Sequence, residues 1–296
     1  PAPSGLALAD LDADGALDLA VACRSDDSLR LYKGSGVVFS AAGQLATGIE
    51  PSALVAVDLE HDGDLDLLVT ERGSSRLAVY RGDGQLGFAA PERFSTGASP
   101  EDLAVADLDG DGWLDVVVAE GIGDALALFR GGASGLVSAT PLAAVGSPRR
   151  VIARDLDGDG DPDLAVALAT TQQVALYTGL IDATFSAPRL AEAVSAAALT
   201  LGDLNGDGRA DLISGGAAGS SLLRGDPGLA LQRFVALREE VAPRHRLADL
   251  LLAHEGVPPG PDLGAEAAEE QERAVEGEGH PAAEEGAPQA SLLGRG

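Results

Sequence analysis

The chain has 296 residues, 45% hydrophobic but only 3% aromatic, with a formal net charge of −27 from 47 acidic and 20 basic side chains. That length and apolar content suit one large or two ordinary domains, with a core built from Ala, Val and Leu. The charge excludes nucleic acid and anionic membranes as partners and points to cations; no run of about 18 apolar residues offers a membrane span, and the single cysteine, Cys23, allows no internal disulfide.

There is no methionine, even at position 1, and no leader segment at Pro1, so the chain reads as a processed product or a piece of a longer reading frame. From the N-terminus, one acidic stretch recurs five times: DLDADGALD (10–18), DLEHDGDLD (58–66), DLDGDGWLD (107–115), DLDGDGDPD (155–163) and DLNGDGRAD (203–211). The first aspartates are 48, 49, 48 and 48 residues apart. A proline stands seven residues ahead in four copies (Pro3, Pro51, Pro100, Pro148), with Ala196 in the fifth. An aromatic follows the first aspartate by 22 residues (Tyr32, Tyr80, Phe129, Tyr177), and a glycine comes two later (Gly34, Gly82, Gly131, Gly179). The fifth copy is two residues shorter there and offers Leu223 and Gly225. Phe39, Phe88 and Phe185 recur further on, with Val137 once in place of Phe.

Each unit predicts four short strands. In the third copy these are 102–107, 114–120, 125–131 and a weaker one near 136–144. Runs such as VVVA and LLV are continuously apolar and β-branched, so their strands should be buried on both faces. Four antiparallel strands every ~40–50 residues predict an all-β propeller with four-stranded antiparallel blades. The five repeats either close a five-bladed ring or are a fragment of a larger propeller. Residues 1–238 form this region. Residues 239–296 hold 13 acidic and 4 basic side chains, and 265–290 is rich in Ala, Glu, Gly and Pro, which predicts a disordered acidic tail. RHRLADLLLAH (244–254) reads as a short helix or a decayed sixth repeat.

The acidic loop reads D-x-[DNE]-x-D-G-x-x-D. Oxygens at positions 1, 3, 5 and 9 converge if the loop curls around a point, and the position-6 glycine permits the bend. The position-7 carbonyl would add a fifth ligand. The candidate sets are Asp10, Asp12, Asp14, Ala16 and Asp18; Asp58, Glu60, Asp62, Asp64 and Asp66; Asp107, Asp109, Asp111, Trp113 and Asp115; Asp155, Asp157, Asp159, Asp161 and Asp163; and Asp203, Asn205, Asp207, Arg209 and Asp211. Five protein oxygens plus water suit Ca²⁺, up to five ions in all. Magnesium prefers fewer carboxylates, and zinc would want His or Cys. An EF-hand would carry Glu at position 12 and run into a helix; here Val21, Val69, Val118, Val166 or Ser214 stands there, inside a β run. Glu60, with a longer arm, and Asn205, lacking a charge, mark the second and fifth loops as the weaker sites.

These features resemble the FG-GAP or VCBS-type repeats best known from the integrin α-subunit propeller. The carrying residues are the loop motif, its flanking apolar strands and the Gly-Phe of GQLGF (84–88), over roughly 3–238. The resemblance implies calcium loops in the hairpins of a propeller, in secreted or cell-surface proteins. Because the family's propellers commonly have seven blades, it makes the larger alternative a fragment of a seven-bladed propeller. The expected role is a binding or adhesion module for a protein or glycan, not an enzyme. The alternatives are a polysaccharide-active lyase or hydrolase on the same scaffold, or a structural spacer of a large surface protein. Arg149, Arg150 and Arg154 form the only basic group that such an enzyme would need. RGD at 81–83 and 224–226 reads as turn chemistry, since the same place elsewhere reads YKGSG, FRGGA and YTGLI. Trp113 either stacks on a sugar or packs on a neighbouring blade, the latter preferred. His61 is expected to face solvent, and Cys23 to be a small core residue.

Overall fold

In each repeat the acidic loop is the first hairpin turn of a four-stranded antiparallel sheet. The computed structural model describes residues 2–138, 140–144, 146–193, 195–204, 206, 210–217, 219–223 and 235–237. The expectations for 239–296, for Asn205, Asp207 and Arg209, and for the second RGD lie outside them.

Blade 1 is β1 (Pro3–Ala9), β2 (Asp18–Cys23), β3 (Ser28–Gly34) and β4 (Phe39–Ala46). Blade 2 is β5 (Pro51–Val57), β6 (Asp66–Glu71), β7 (Arg76–Tyr80) and β8 (Glu92–Ser95). Blade 3 is β9 (Pro100–Ala106), β10 (Asp115–Glu120), β11 (Ala125–Arg130) and a fourth strand in two pieces, β12 (Val137–Ser138) and β13 (Leu142–Ala143). Pro141, which has no N–H to donate, stands between those pieces. Blade 4 is β14 (Pro148–Arg154), β15 (Asp163–Leu168) and β16 (Gln173–Tyr177), then a small hairpin of β17 (Gly179–Leu180) and β18 (Thr184–Phe185), then β19 (Arg189–Glu192). Blade 5 is β20 (Ala198–Gly202), β21 (Asp211–Gly216), β22 (Gly219–Leu223) and β23 (Val235–Leu237). Within each blade the strands pair in sequence order, without a swapped strand. The fold is all-β and of the propeller type.

The hairpin register is the same in every blade: Ala9, Val57, Ala106, Arg154 and Gly202 pair with Asp18, Asp66, Asp115, Asp163 and Asp211. The ninth loop residue is therefore the first residue of the second strand. A proline opens the inner strand in blades 1 to 4, a position where its missing N–H costs no ladder bond. Its carbonyl can still accept. The Ser4 hydroxyl donates to the Pro51 carbonyl at 2.6 Å and the Ser52 hydroxyl to that of Pro100 at 2.7 Å, tying each inner strand to the next.

The core lies between blades. Alternate residues of a strand face opposite ways, and the second strand of a blade uses both faces. In β10, Val116 and Val118 pack with Leu68, Leu77 and Val79 of blade 2, while Val117 and Ala119 pack with Val151, Leu164 and Val166 of blade 4. That accounts for the unbroken apolar runs. Outer strands are the reverse, and β4 is exposed along almost its whole length. Leu54, Leu103 and Val151 on the inner strands are 6%, 5% and 4% exposed, whereas their counterpart Leu6 in blade 1 is 65% exposed. Cys23 is buried at the end of β2. The repeated aromatics do two jobs: Tyr80 and Tyr177 are buried in these seams, and their hydroxyls donate to the carbonyls of Ala46 and Ala143 in the preceding blade, both at 2.8 Å.

The repeated glycine two residues after the aromatic has a steric reason. A methyl group on Gly34, Gly82, Gly131 or Gly179 would collide with the carbonyl oxygen of Leu17, Leu65, Leu114 or Pro162, the residue that ends the acidic loop. Gly82→Ala should therefore cost about 2–3 kcal/mol in urea denaturation. Gly132→Ala, which meets nothing within 4 Å, should stay within about 0.5 kcal/mol of wild type. Equal losses at the two positions would refute the close-approach account.

Candidate metal centres

Every described loop is curled by its own carboxylates. In the first, the Asp14 and Gly15 amides donate to Asp10 at 3.1 and 2.9 Å, and the Ala16 amide donates to Asp14 at 2.9 Å. The second loop repeats this with Asp62 and Gly63 donating to Asp58 at 3.1 and 2.9 Å and Asp64 to Asp62 at 2.9 Å. In the third and fourth loops, Gly110 and Gly112 donate to Asp107, and Gly158 and Gly160 to Asp155. Trp113 and Asp161 donate to Asp111 and Asp159 at 2.8 and 2.9 Å. The position-6 glycines Gly15, Gly63, Gly112 and Gly160 have φ between 89° and 99°, the left-handed region that favours glycine. Position 4 is left-handed as well, in Ala13, His61, Gly110, Gly158 and Gly206, a demand the sequence reading did not identify.

The ninth aspartate has a second role. Asp18 is fully buried, and its two oxygens accept the amides of Leu11 at 2.9 Å and Gly34 at 2.8 Å. Asp66 does the same for Leu59 and Gly82, Asp115 for Leu108 and Gly131, and Asp163 for Leu156 and Gly179. Asp211 accepts the Leu204 amide at 3.0 Å. One carboxylate thus clamps the start of the acidic loop to the glycine that follows the third strand.

Three loops bring together carboxylates at positions 1, 3 and 9: Asp10, Asp12 and Asp18; Asp107, Asp109 and Asp115; Asp155, Asp157 and Asp163. Within each group, one oxygen per residue lies within 4.8 Å of the others. The position-5 residues Asp14, Asp111 and Asp159 stand outside these groups. The residues fit a hard dication. Asp12 Oδ1 is buried and accepts no hydrogen bond, and a hard dication would give it a partner. Burial, and then the neighbouring aspartates, raise the carboxyl of Asp157 above its usual range. Burial also raises Asp115 and Asp163, against the pull of the amides they accept. A bound dication would reverse that pressure. In the fifth loop the described candidate ligands are Asp203, which accepts the Gly206 amide at 2.7 Å, and Asp211.

Basic side chains reach the loops from the residue after the repeated aromatic. Lys33 binds Asp12 and, at 2.8 Å, Asp14. Those hydrogen bonds raise Lys33, and the one from Lys33 lowers Asp14. Arg81 binds Glu60 and, at 3.2 Å, Asp66. Arg130 stands 3.7 Å from Asp109 and donates to the Asp182 carbonyl. Thr178 holds the place in the fourth blade. These partners were visible in YKG, YRG and FRG but were read only as turn residues.

Other singled-out residues are also placed. In the first RGD, Arg81 is engaged as above, and Asp83 accepts the Gln85 and Gly87 amides, both at 2.9 Å. Trp113 stacks on His61 of the adjacent blade, ring centroids 5.0 Å apart and planes 7° from parallel. His61 is exposed, as expected, but carries this partner. Arg150 stands 3.7 Å from Asp102 of blade 3.

Five acidic hairpin loops in register, each at the head of a four-stranded blade, define a repeat propeller with oxygen-rich loop sites. The chain belongs to the FG-GAP-like repeat family, whose pattern matches residues 10–69, 58–118 and 155–214. Each match spans two successive acidic loops. No curated protein sequence matches the chain. Among solved structures, it is similar to a protein from Lactobacillus plantarum, at 16% identity and TM-score 0.56, over 79% of this chain and 71% of that one. It is similar to BBS1N, solved in complex with ARL6DN, at 16% identity and TM-score 0.53, over 73% of this chain and 59% of that one. An Agrocybe aegerita lectin that recognises non-reducing terminal N-acetylglucosamine matches at 18% identity and TM-score 0.51, over 74% and 62%. The chain thus spans about three fifths of the length of the last two. Among the described residues, no helix is long and apolar enough to cross a membrane.

Proposed function

We propose that the chain is a calcium-stabilised propeller scaffold whose surface loops bind a glycan or a protein, outside the cytoplasm and without catalysing a reaction. The observation that carries the metal reading is the buried, unpartnered Asp12 Oδ1 inside a carboxylate triad that recurs in blades 3 and 4. Three carboxylates in one loop suit calcium better than magnesium, which retains its waters. The ion's role is structural: it neutralises the loop and stiffens one hairpin per blade.

The binding reading is supported by structures of the same fold, one in complex with ARL6DN and one recognising N-acetylglucosamine. A groove of about 400 Å³ lined by Leu128, Arg130, Val137 and Thr184 is the surface to probe first for such a ligand. Membership of the FG-GAP-like family supports an extracellular site, where calcium is plentiful. The test is a glycan array and a protein pull-down with the calcium-loaded chain, alongside lyase and hydrolase assays on polysaccharides. Calcium-dependent retention of one ligand class without product release is expected. Polysaccharide turnover would replace the scaffold reading with an enzyme.

A further inference from the structure

The second acidic loop differs from the other three whose loop residues are all described. It has the sequence of a metal loop and the same self-curling bonds, yet Asp58, Glu60 and Asp66 form no triad of the kind seen in blades 1, 3 and 4. The arginine from the end of β7 lies there. Arg81 Nη1 bonds Glu60, at position 3, and Asp66, at position 9 and 3.2 Å away. Those are two of the three positions whose carboxylates converge in the other loops. The Asp66 side chain is 2% exposed and that of Arg81 23%, so the pair is poorly screened.

No other blade makes this bridge among the described residues. Lys33 reaches positions 3 and 5 of its loop and leaves Asp18, at position 9, to the backbone. Arg130 stands 3.7 Å from position 3 alone and is drawn aside to the Asp182 carbonyl. Blade 4 has Thr178, which carries no charge. The second loop is also the one with Glu at position 3, and its Arg81 presents a planar guanidinium that bridges this Glu60 and Asp66.

We propose that Arg81 is the resident cation of the second loop, holding blade 2 closed without metal. This rests on the calcium reading only for the other loops. Arg81 then gives the second loop a counter-ion built into the sequence that bridges positions 3 and 9, whereas Lys33 in blade 1 reaches positions 3 and 5. Blade 2 should keep its first hairpin when calcium is removed.

The test compares wild type with Arg81→Thr and with the double variant Glu60→Asp/Arg81→Thr, which reproduces the pattern of blade 4. Calcium per chain is counted by calorimetric titration, and melting is followed in EDTA and in calcium. In EDTA both variants should melt about 3–6 °C below wild type, because Asp66 loses its buried partner. The double variant should take up one more calcium per chain than wild type, and calcium should restore its melting temperature. Unchanged melting in EDTA would overturn the proposal, as would equal, non-zero calcium counts in wild type and the double variant. A fall in EDTA with no metal bound by any chain would support Arg81 as the loop's ion and defeat the calcium reading of the others.

Discussion

Asp163→Ala should destabilise the protein by about 3–5 kcal/mol in EDTA, where metal binding plays no part. Asp163 is fully buried, and both its oxygens accept backbone amides, those of Leu156 and Gly179 at 2.8 Å each. Truncation leaves the two amides that Asp163 accepts without their acceptor, at about 1–3 kcal/mol each. It also unlinks the acidic loop from the turn after β16. At about 2–4 °C per kcal/mol for a domain of this size, the melting temperature should fall by roughly 6–20 °C. Asp159→Ala is the control: its loop position is exposed and its carboxylate accepts the Asp161 amide within the loop. In EDTA that change should cost less than about 1 kcal/mol. Equal losses for the two variants would mean that the ninth aspartate is merely a loop acid.

Calcium should raise the melting temperature and EDTA should lower it. An ion that binds only the folded chain adds about 2.7 kcal/mol per site at a free concentration 100 times its dissociation constant. Three triads filled to that level would contribute roughly 8 kcal/mol, comparable with the whole stability of an ordinary domain. The origin of the gain is the set of aspartates whose carboxyls burial has raised, Asp115, Asp157 and Asp163, which a dication relieves of mutual repulsion. Superimposable melts in calcium and EDTA would rule out structural ions in these loops. A calorimetric titration on the same sample gives the number of sites.

The blade architecture was readable because the repeat carries its own phase. Prolines, aromatics and glycines at fixed offsets from each Asp-Gly loop marked where strands begin and turn. The VVVA and LLV runs announced strands sandwiched between two neighbours. What the letters could not convey is which atom of a side chain meets what. Asp18 and its counterparts were read as ligands, and nothing in D-x-D-x-D-G-x-x-D distinguishes a metal-facing carboxylate from one whose two oxygens each accept a backbone amide. Lys33, Arg81 and Arg130 lay in plain view beside a glycine. Their loop partners are 15 to 21 residues earlier in the chain, and only the hairpin register brings them together. Ala13 and His61 in left-handed backbone were equally hidden, since glycine fills that position in the other copies.

The two-sided packing of the second strands has a consequence for cooperativity. Because Val116 and Val117, adjacent in β10, contribute to two different seams, damage to one blade weakens both of its neighbours. Stability in such a row behaves as a sum of unit terms and nearest-neighbour couplings. A blade with partners on either side carries two couplings. Blade 1, where Leu6 is solvent-exposed, shows only the coupling to blade 2 among the described residues. The same substitution should therefore do more harm in a central blade, in β10 for example, than in the first.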